Sequence, residues 1–270
     1  MDGLAKAGHE DRHAPLKNYC KGLLLPGDRK SVEPVAARLD AGNVQPMRQS
    51  LHHLVAKAPW SDETLLGEVR KQVLPAMQKQ GPVVAWIVDD TGFPKKGKHS
   101  VGVARQYCGQ VGKQENCRVA VSLSMATWTS SLPIAYRLYL PKEWAEDVER
   151  RRRAEVPEEV EFQTKPEIAL EQIRAAAATG LDRGVVLADA AYGINTEFRE
   201  GLSKLKLQYV VGGAKLADGL GARQTTFARQ ATRKHGTVAA VVAAERESSA
   251  GVGEAPEFRP RGSPRSSRAA

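Results

Sequence analysis

The chain holds 270 residues, with 40 Lys and Arg against 31 Asp and Glu, a formal charge of +9, and 41% hydrophobic residues. That length can bury a sizeable core in one large domain or two ordinary ones, and the basic excess is compatible with a polyanionic partner. No apolar run reaches the roughly 18 residues of a membrane span, and Met1-Asp-Gly-Leu-Ala-Lys6 shows no apolar segment behind a basic start, so no secretory signal is expected.

Residues 1–82 read as helical. Tyr19 to Leu25 precedes a Pro-Gly break, and Ser31 is placed to cap a helix running to Leu39. Asp40-Ala-Gly-Asn43 breaks that helix. Val44 to Ala56 then sets Met47, Leu51, Leu54 and Val55 on one face. Ser61 to Leu74 is a further helix, capped by Ser61 with acids in its first turn. Short helices joined by glycine-containing turns suit a helix-turn-helix DNA-binding unit, and they suit a plain helical domain equally well.

From Val83 the pattern changes to strands. Val83 to Val88 is apolar throughout, as in a strand buried on both faces. It delivers Asp89 and Asp90, then Thr91-Gly92-Phe93-Pro94 and three lysines. Asp-Asp-Thr-Gly can be a strand-ending turn, since Asp and Gly favour turns. It can also be a metal site, because hard cations prefer clustered carboxylate oxygens. Ser100 to Cys108 and Asn116 to Trp128 read as a second and third strand, and short connections suggest an antiparallel meander. Lys95, Lys96, Lys98, Arg105, Lys113 and Arg118, with Glu115 as the single acid among them, form a basic patch beside the aspartates, a candidate DNA contact. Cys20, Cys108 and Cys117 show no metal-ligand spacing and cannot all pair, so reduced thiols in a cytoplasmic protein are expected.

Leu132 to Leu140 extends or covers the sheet. The run Arg150 to Arg153 sits among glutamates, which fits either a solvated face or a phosphate contact. Thr164 to Ala178 is the clearest helix, with Thr164 as N-cap, Pro166 and Glu167 in its first turn, and Gly180 beyond its end. Arg183 to Gly193 contains a short apolar strand that again ends in an aspartate, Asp189. A helix from Asn195 to Leu205 and a strand from Gln208 to Gly212 follow, implying a parallel pair. Residues 213–270 have few large apolar side chains; disorder is expected there, with at most a weak helix over 225–244.

Three strands, then a helix, a strand, a helix and a strand, with acids ending the first and fourth strands, make an α/β arrangement with an RNase H-like mixed sheet. Placing the fourth strand beside the first brings Asp90 and Asp189 together, where two carboxylates can share Mg²⁺ at a phosphodiester. The run Val88 to Val103, then Arg105-Gln-Tyr-Cys-Gly109, Gly112-Lys113 and Asn116-Cys117, resembles the DDE transposases of bacterial insertion sequences, in particular the group described as DDE superfamily endonuclease. Tyr19 to Val35 is similar to that group's N-terminal region, and Leu187-Ala-Asp-Ala-Ala-Tyr-Gly193 to its second acidic motif. The likeness covers roughly residues 15–212.

The resemblance implies a helical DNA-binding region over 1–82 and an incomplete catalytic domain over 83–212. It implies cutting and joining of the inverted-repeat ends of a mobile element, with Mg²⁺ or Mn²⁺ as cofactor and a homodimer in the bacterial nucleoid. The family's first acid matches Asp90, with Asp89 as neighbour or substitute, and its second matches Asp189. These two are the expected metal ligands. The family's third acid, a glutamate within a Tyr…Arg…Glu…Lys pattern, is not found here. Glu245, Glu247 and Glu254 are the glutamates near the right region, and none has that setting. A frame shift or interruption near Gly212, leaving an unrelated tail and an inactive enzyme, is the expectation. A transposase-derived DNA-binding regulator without chemistry is the alternative.

Overall fold

The computed structural model describes residues 12–59 and 61–212. The expectations for residues 213–270, the three glutamates included, lie outside the described residues. Four helices come first: α1 (His13–Leu24), α2 (Val32–Leu39), α3 (Val44–Ala56) and α4 (Asp62–Gln80). Val35, Ala36 and Leu51 are buried between α2 and α3, with Tyr19 of α1 and Met47 packed against them. This small core draws one stripe from each helix, the pattern that amphipathic spacing produces. Ser61 accepts the amide of Thr64 and caps α4 as expected, whereas Ser31 occupies the N-cap of α2 without a side-chain bond. Helix α4 runs six residues past the expected Leu74, to Gln80, and contains Pro75.

A six-stranded mixed sheet follows, built from β1 (Ala85–Pro94), β2 (Ala104–Cys108), β3 (Lys113–Ala126), β4 (Ser131–Leu138), β5 (Val185–Ala188) and β6 (Tyr209–Val211). Its order is β2-β3-β1-β5-β6, with β4 paired to the other half of the same β3 edge. The sequential meander is therefore corrected. All ten residues of β1 pair with Pro94↔Cys117 through Ala85↔Ala126 of β3, and β2 takes the far side of β3. The connection from Lys95 to Val103 is too long for a tight hairpin, so the chain passes beyond β3 before pairing. Strand β5 pairs in parallel with both β1 and β6.

Between β4 and β5 lie α5 (Lys142–Ala145), α6 (Val148–Arg153) and α7 (Lys165–Ala178); α8 (Ala190–Gly193) and α9 (Thr196–Lys204) link β5 to β6. The main core joins Trp86 and Val88 of β1, Val121, Leu123 and Met125 of β3, and Ile168, Ala169 and Ile173 of α7. Alternate residues of β1 and β5, Ala85, Val185 and Leu187, form a smaller apolar group on the opposite face with Ala126. Buried Gln172 donates to the Val121 carbonyl at 3.0 Å and pins α7 to β3. The four-arginine run is absorbed by the protein itself. Arg150 stacks 3.7 Å over buried Trp144 and donates to the Lys98 carbonyl, Arg151 donates to the carbonyls of Pro157 and Val160, and Arg152 and Arg153 pair with Glu149.

No helix among the described residues is long and apolar enough to cross a membrane. All three cysteines are free thiols, and Cys108 and Cys117 are buried together with Val119. Burial first, and then the neighbouring Cys108, push the Cys117 thiol up to about 11. That makes it a packing group and a poor nucleophile.

Candidate functional site

Period-two alternation along β1 separates the two adjacent aspartates. Trp86, Val88 and Asp90 point to the face covered by α7, while Ala85, Ile87 and Asp89 point to the other. The expected turn at Asp89-Asp90-Thr91-Gly92 is corrected: β1 continues through these residues to Pro94, paired with β3. The parallel register Ala85↔Val185 to Ile87↔Leu187 sets the end of β5 against the middle of β1, and two residues beyond it stand Asp89 and Asp189. Gly92 explains the small residue after Thr91. A Cβ there would lie 2.7 Å from the Cys108 sulfur and 3.2 Å from its Cα, so β1 could not continue so close to the end of β2.

Asp189 is extended backbone at the N-cap of α8, and its Oδ1 accepts the amides of Ala191 at 2.9 Å and Tyr192 at 3.4 Å. The one-turn helix it caps carries Tyr192, whose buried hydroxyl donates to Asp90 Oδ1 at 2.5 Å. The second oxygen of Asp90 receives Lys165 Nζ at 2.6 Å, from the first position of α7. Asp90 thus has both carboxylate oxygens occupied, one by a neutral hydroxyl and one by an ammonium. Asp89 is held locally, its Oδ1 accepting the amide of Asp90 at 2.8 Å, and Ser122 donates to its carbonyl.

Asp89 responds to the other two carboxylates. Partial loss of water raises the Asp89 carboxyl above the usual aspartate range; the Asp90 amide opposes this, and the negative charges of Asp90 and Asp189 add to it. Asp89 is exposed, so solvent screening keeps the effect modest. Burial, and then Asp90, push the Tyr192 phenol far above its ordinary value, which keeps it a neutral donor.

The donor chemistry suits a hard divalent cation. Mg²⁺ is commonly held by one or two carboxylates, with waters and substrate phosphate completing its shell. Asp90 and Asp189 are the carboxylates that could supply that protein share, and Asp90 already pairs with one cation, the ammonium of Lys165. Among the described residues no group of three or more His, Cys, Asp or Glu is arranged to hold a metal.

The basic residues are spread over the β1–β2 connection, β2 and β3. Lys95, Lys96 and Lys98 lie on the β1–β2 connection, and Lys96 and Lys98 are exposed. Arg105 on β2 and Lys113 on β3 flank Glu115, and Lys113 lies 3.5 Å from its carboxylate. Arg118 stands opposite Phe93 and is half-buried. Sequence reasoning missed the two residues that touch Asp90. Tyr192 was visible as the third residue after a helix-capping aspartate, and Lys165 as a cation in a first helical turn, where the helix dipole disfavours one.

The model of the family described as DDE superfamily endonuclease matches residues 4–246. The matched region runs past Gly212, which corrects the limit of the resemblance expected there. The chain is also similar to "Probable transposase for insertion sequence element IS701" of Microchaete diplosiphon, at 31% identity over 184 residues. That match takes in 68% of this chain and 44% of the relative, so the chain spans less than half the length of the protein it matches.

Proposed function

The chain belongs to the DDE superfamily endonucleases, and from that premise we propose that it is an insertion-sequence transposase in a form without catalytic activity. The observation that carries this reading is the junction of Asp90, midway along β1, with Asp189, just past the end of the adjacent parallel strand β5, linked through Tyr192. In this reading Asp90 and Asp189 hold Mg²⁺ or Mn²⁺ beside the scissile phosphate, with Asp89 as a neighbouring charge. The bound ion would supply charge stabilisation and an activated water. Tyr192 fixes one edge of Asp90, and the capped helix α8 fixes the position of Asp189.

The N-terminal helices bind the DNA ends. Helix α3 contains no acidic residue and exposes Gln45, Gln49, His52 and His53, donors and acceptors of the kind that read base edges. It follows α2 across the short turn Asp40–Asn43, as in a helix-turn-helix. Lys96, Lys98 and Arg105 then meet phosphates near the aspartates.

Two of the family's three acids have counterparts in this chain. Because the family match continues in the same frame to residue 246, a shift of frame at Gly212 is withdrawn, and the proposed inactivity rests on the missing third acid alone. This chain alone then binds inverted-repeat duplex without cutting it. Mg²⁺-dependent nicking of such a duplex by the purified chain, abolished by Asp90→Ala, would overturn the claim of inactivity.

A further inference from the structure

We propose that Lys165 is a built-in counter-cation of Asp90, a positioning residue that a divalent ion must displace to enter the site. The inference rests on the reading of Asp90 as a metal-holding carboxylate and adds to it the identity of the competitor.

The geometry leaves little freedom over which partner yields. Asp90 Oδ1 is taken by Tyr192, a buried phenol on a helix capped by Asp189, and Oδ2 is taken by Lys165 at 2.6 Å. The Tyr192 ring packs in the main core, tilted against Phe198 at 5.8 Å between centroids, so its hydroxyl is fixed. Lys165 reaches Asp90 on a long, rotatable stem, and the two side chains are 27% and 31% exposed, so water and ions have access to the ammonium. A hard cation on Asp90 therefore replaces the lysine and not the tyrosine.

Lys165 is also presented deliberately. Its backbone is set by a capping box, in which Thr164 accepts the Glu167 amide and Glu167 accepts the Thr164 amide, with Pro166 in the same turn. A cation at this end of a helix opposes the helix dipole, so nothing local favours a lysine there. What favours it is tertiary: Asp90 in front, and the ring of Tyr139 with its centroid 5.5 Å from Nζ. Among the described residues, only this ion pair and Arg137–Glu171 join distant parts of the chain. The other pairs lie within four residues of each other. In the metal-free protein Lys165 relieves the repulsion among Asp89, Asp90 and Asp189 and keeps the site formed.

The test is Mn²⁺ binding by the full chain, followed by calorimetry, together with thermal melting with and without Mg²⁺. Lys165→Gln is expected to bind Mn²⁺ about five- to tenfold more tightly than wild type, while its metal-free melting temperature falls and Mg²⁺ restores it. Lys165→Arg, which keeps the charge, is expected to retain wild-type affinity and melting. Opposite movement of affinity and stability is something a merely structural lysine does not produce. Equal or weaker Mn²⁺ binding by Lys165→Gln, with Asp90→Asn still lowering binding, overturns the inference and leaves the metal site standing. Binding that is absent in all variants, or unchanged by Asp90→Asn, removes the metal site and the inference with it.

Discussion

Tyr192 donates its hydroxyl to Asp90 across a sequence separation of 102 residues. The bond ties the last turn-forming motif of the sheet to the first strand, and one residue joins the two aspartates, its hydroxyl on Asp90 and its backbone amide on Asp189. Hydrogen bonds to a charged acceptor contribute about 1.5–3 kcal/mol. Tyr192→Phe is therefore expected to lower stability by roughly that amount in urea denaturation, because it removes a donor from a half-buried carboxylate. Tyr107→Phe, on a residue 59% exposed, serves as the control and should change nothing measurable.

Gly193 and Gly67 should respond to alanine with opposite signs. A Cβ at Gly193 would lie 1.8 Å from the Gly212 carbonyl oxygen, so α8 could not rest against the end of β6. Gly193→Ala is expected to cost about 1–3 kcal/mol or more through overpacking. Gly67 lies within α4 with only the Arg70 side chain nearby, at 3.8 Å. Gly67→Ala should stabilise by about 0.5–1 kcal/mol, since it removes backbone entropy without a clash. Denaturant midpoints of both variants check the pair of signs.

The cap of α7 should show a pH signature. The Thr164 hydroxyl, and then its amide, lower the Glu167 carboxyl below the usual glutamate value. A depressed folded value means the stabilisation is complete above the unfolded value and is lost as pH falls through the folded one. Wild type should therefore exceed Glu167→Gln in stability at pH 6, with the gap closing as pH drops below the ordinary glutamate range. Thr164→Ala should cost about 1 kcal/mol at neutral pH through loss of the N-cap. Melting curves across that pH range decide both.

Two classes of DNA contact should separate in binding assays. Lys96→Ala, at an exposed position after β1, is expected to weaken all duplexes alike and to reduce the slope of log K against log salt by about 1. Gln49→Ala or His52→Ala on α3 should instead narrow the difference between the correct end sequence and a random one, by about 1–3 kcal/mol for a bidentate contact. An unchanged preference in both would remove α3 from base reading.

The sequence by itself determined the local elements. Helix α3 begins and ends where its apolar spacing places it, α7 starts at the threonine cap, and β5 delivers Asp189 just past its end. These signals are short-range, carried by periodicity and by side chains that bond their own backbone. Strand β1, by contrast, runs on past Asp89 and Asp90 to Pro94 because β3 pairs with it throughout. Strand order was not legible, because it depends on which edge of β3 a nine-residue connection can reach. The surroundings of Asp90 were not legible either. Lys165 and Tyr192 lie 75 and 102 residues away, and only the packing of α7 and α8 onto the sheet brings their polar tips to one carboxylate. The acids of the Asp89-Asp90 pair are chemically identical in the chain. Strand alternation and tertiary contacts decided that Asp90 faces the helices and is the one that Lys165 and Tyr192 hold.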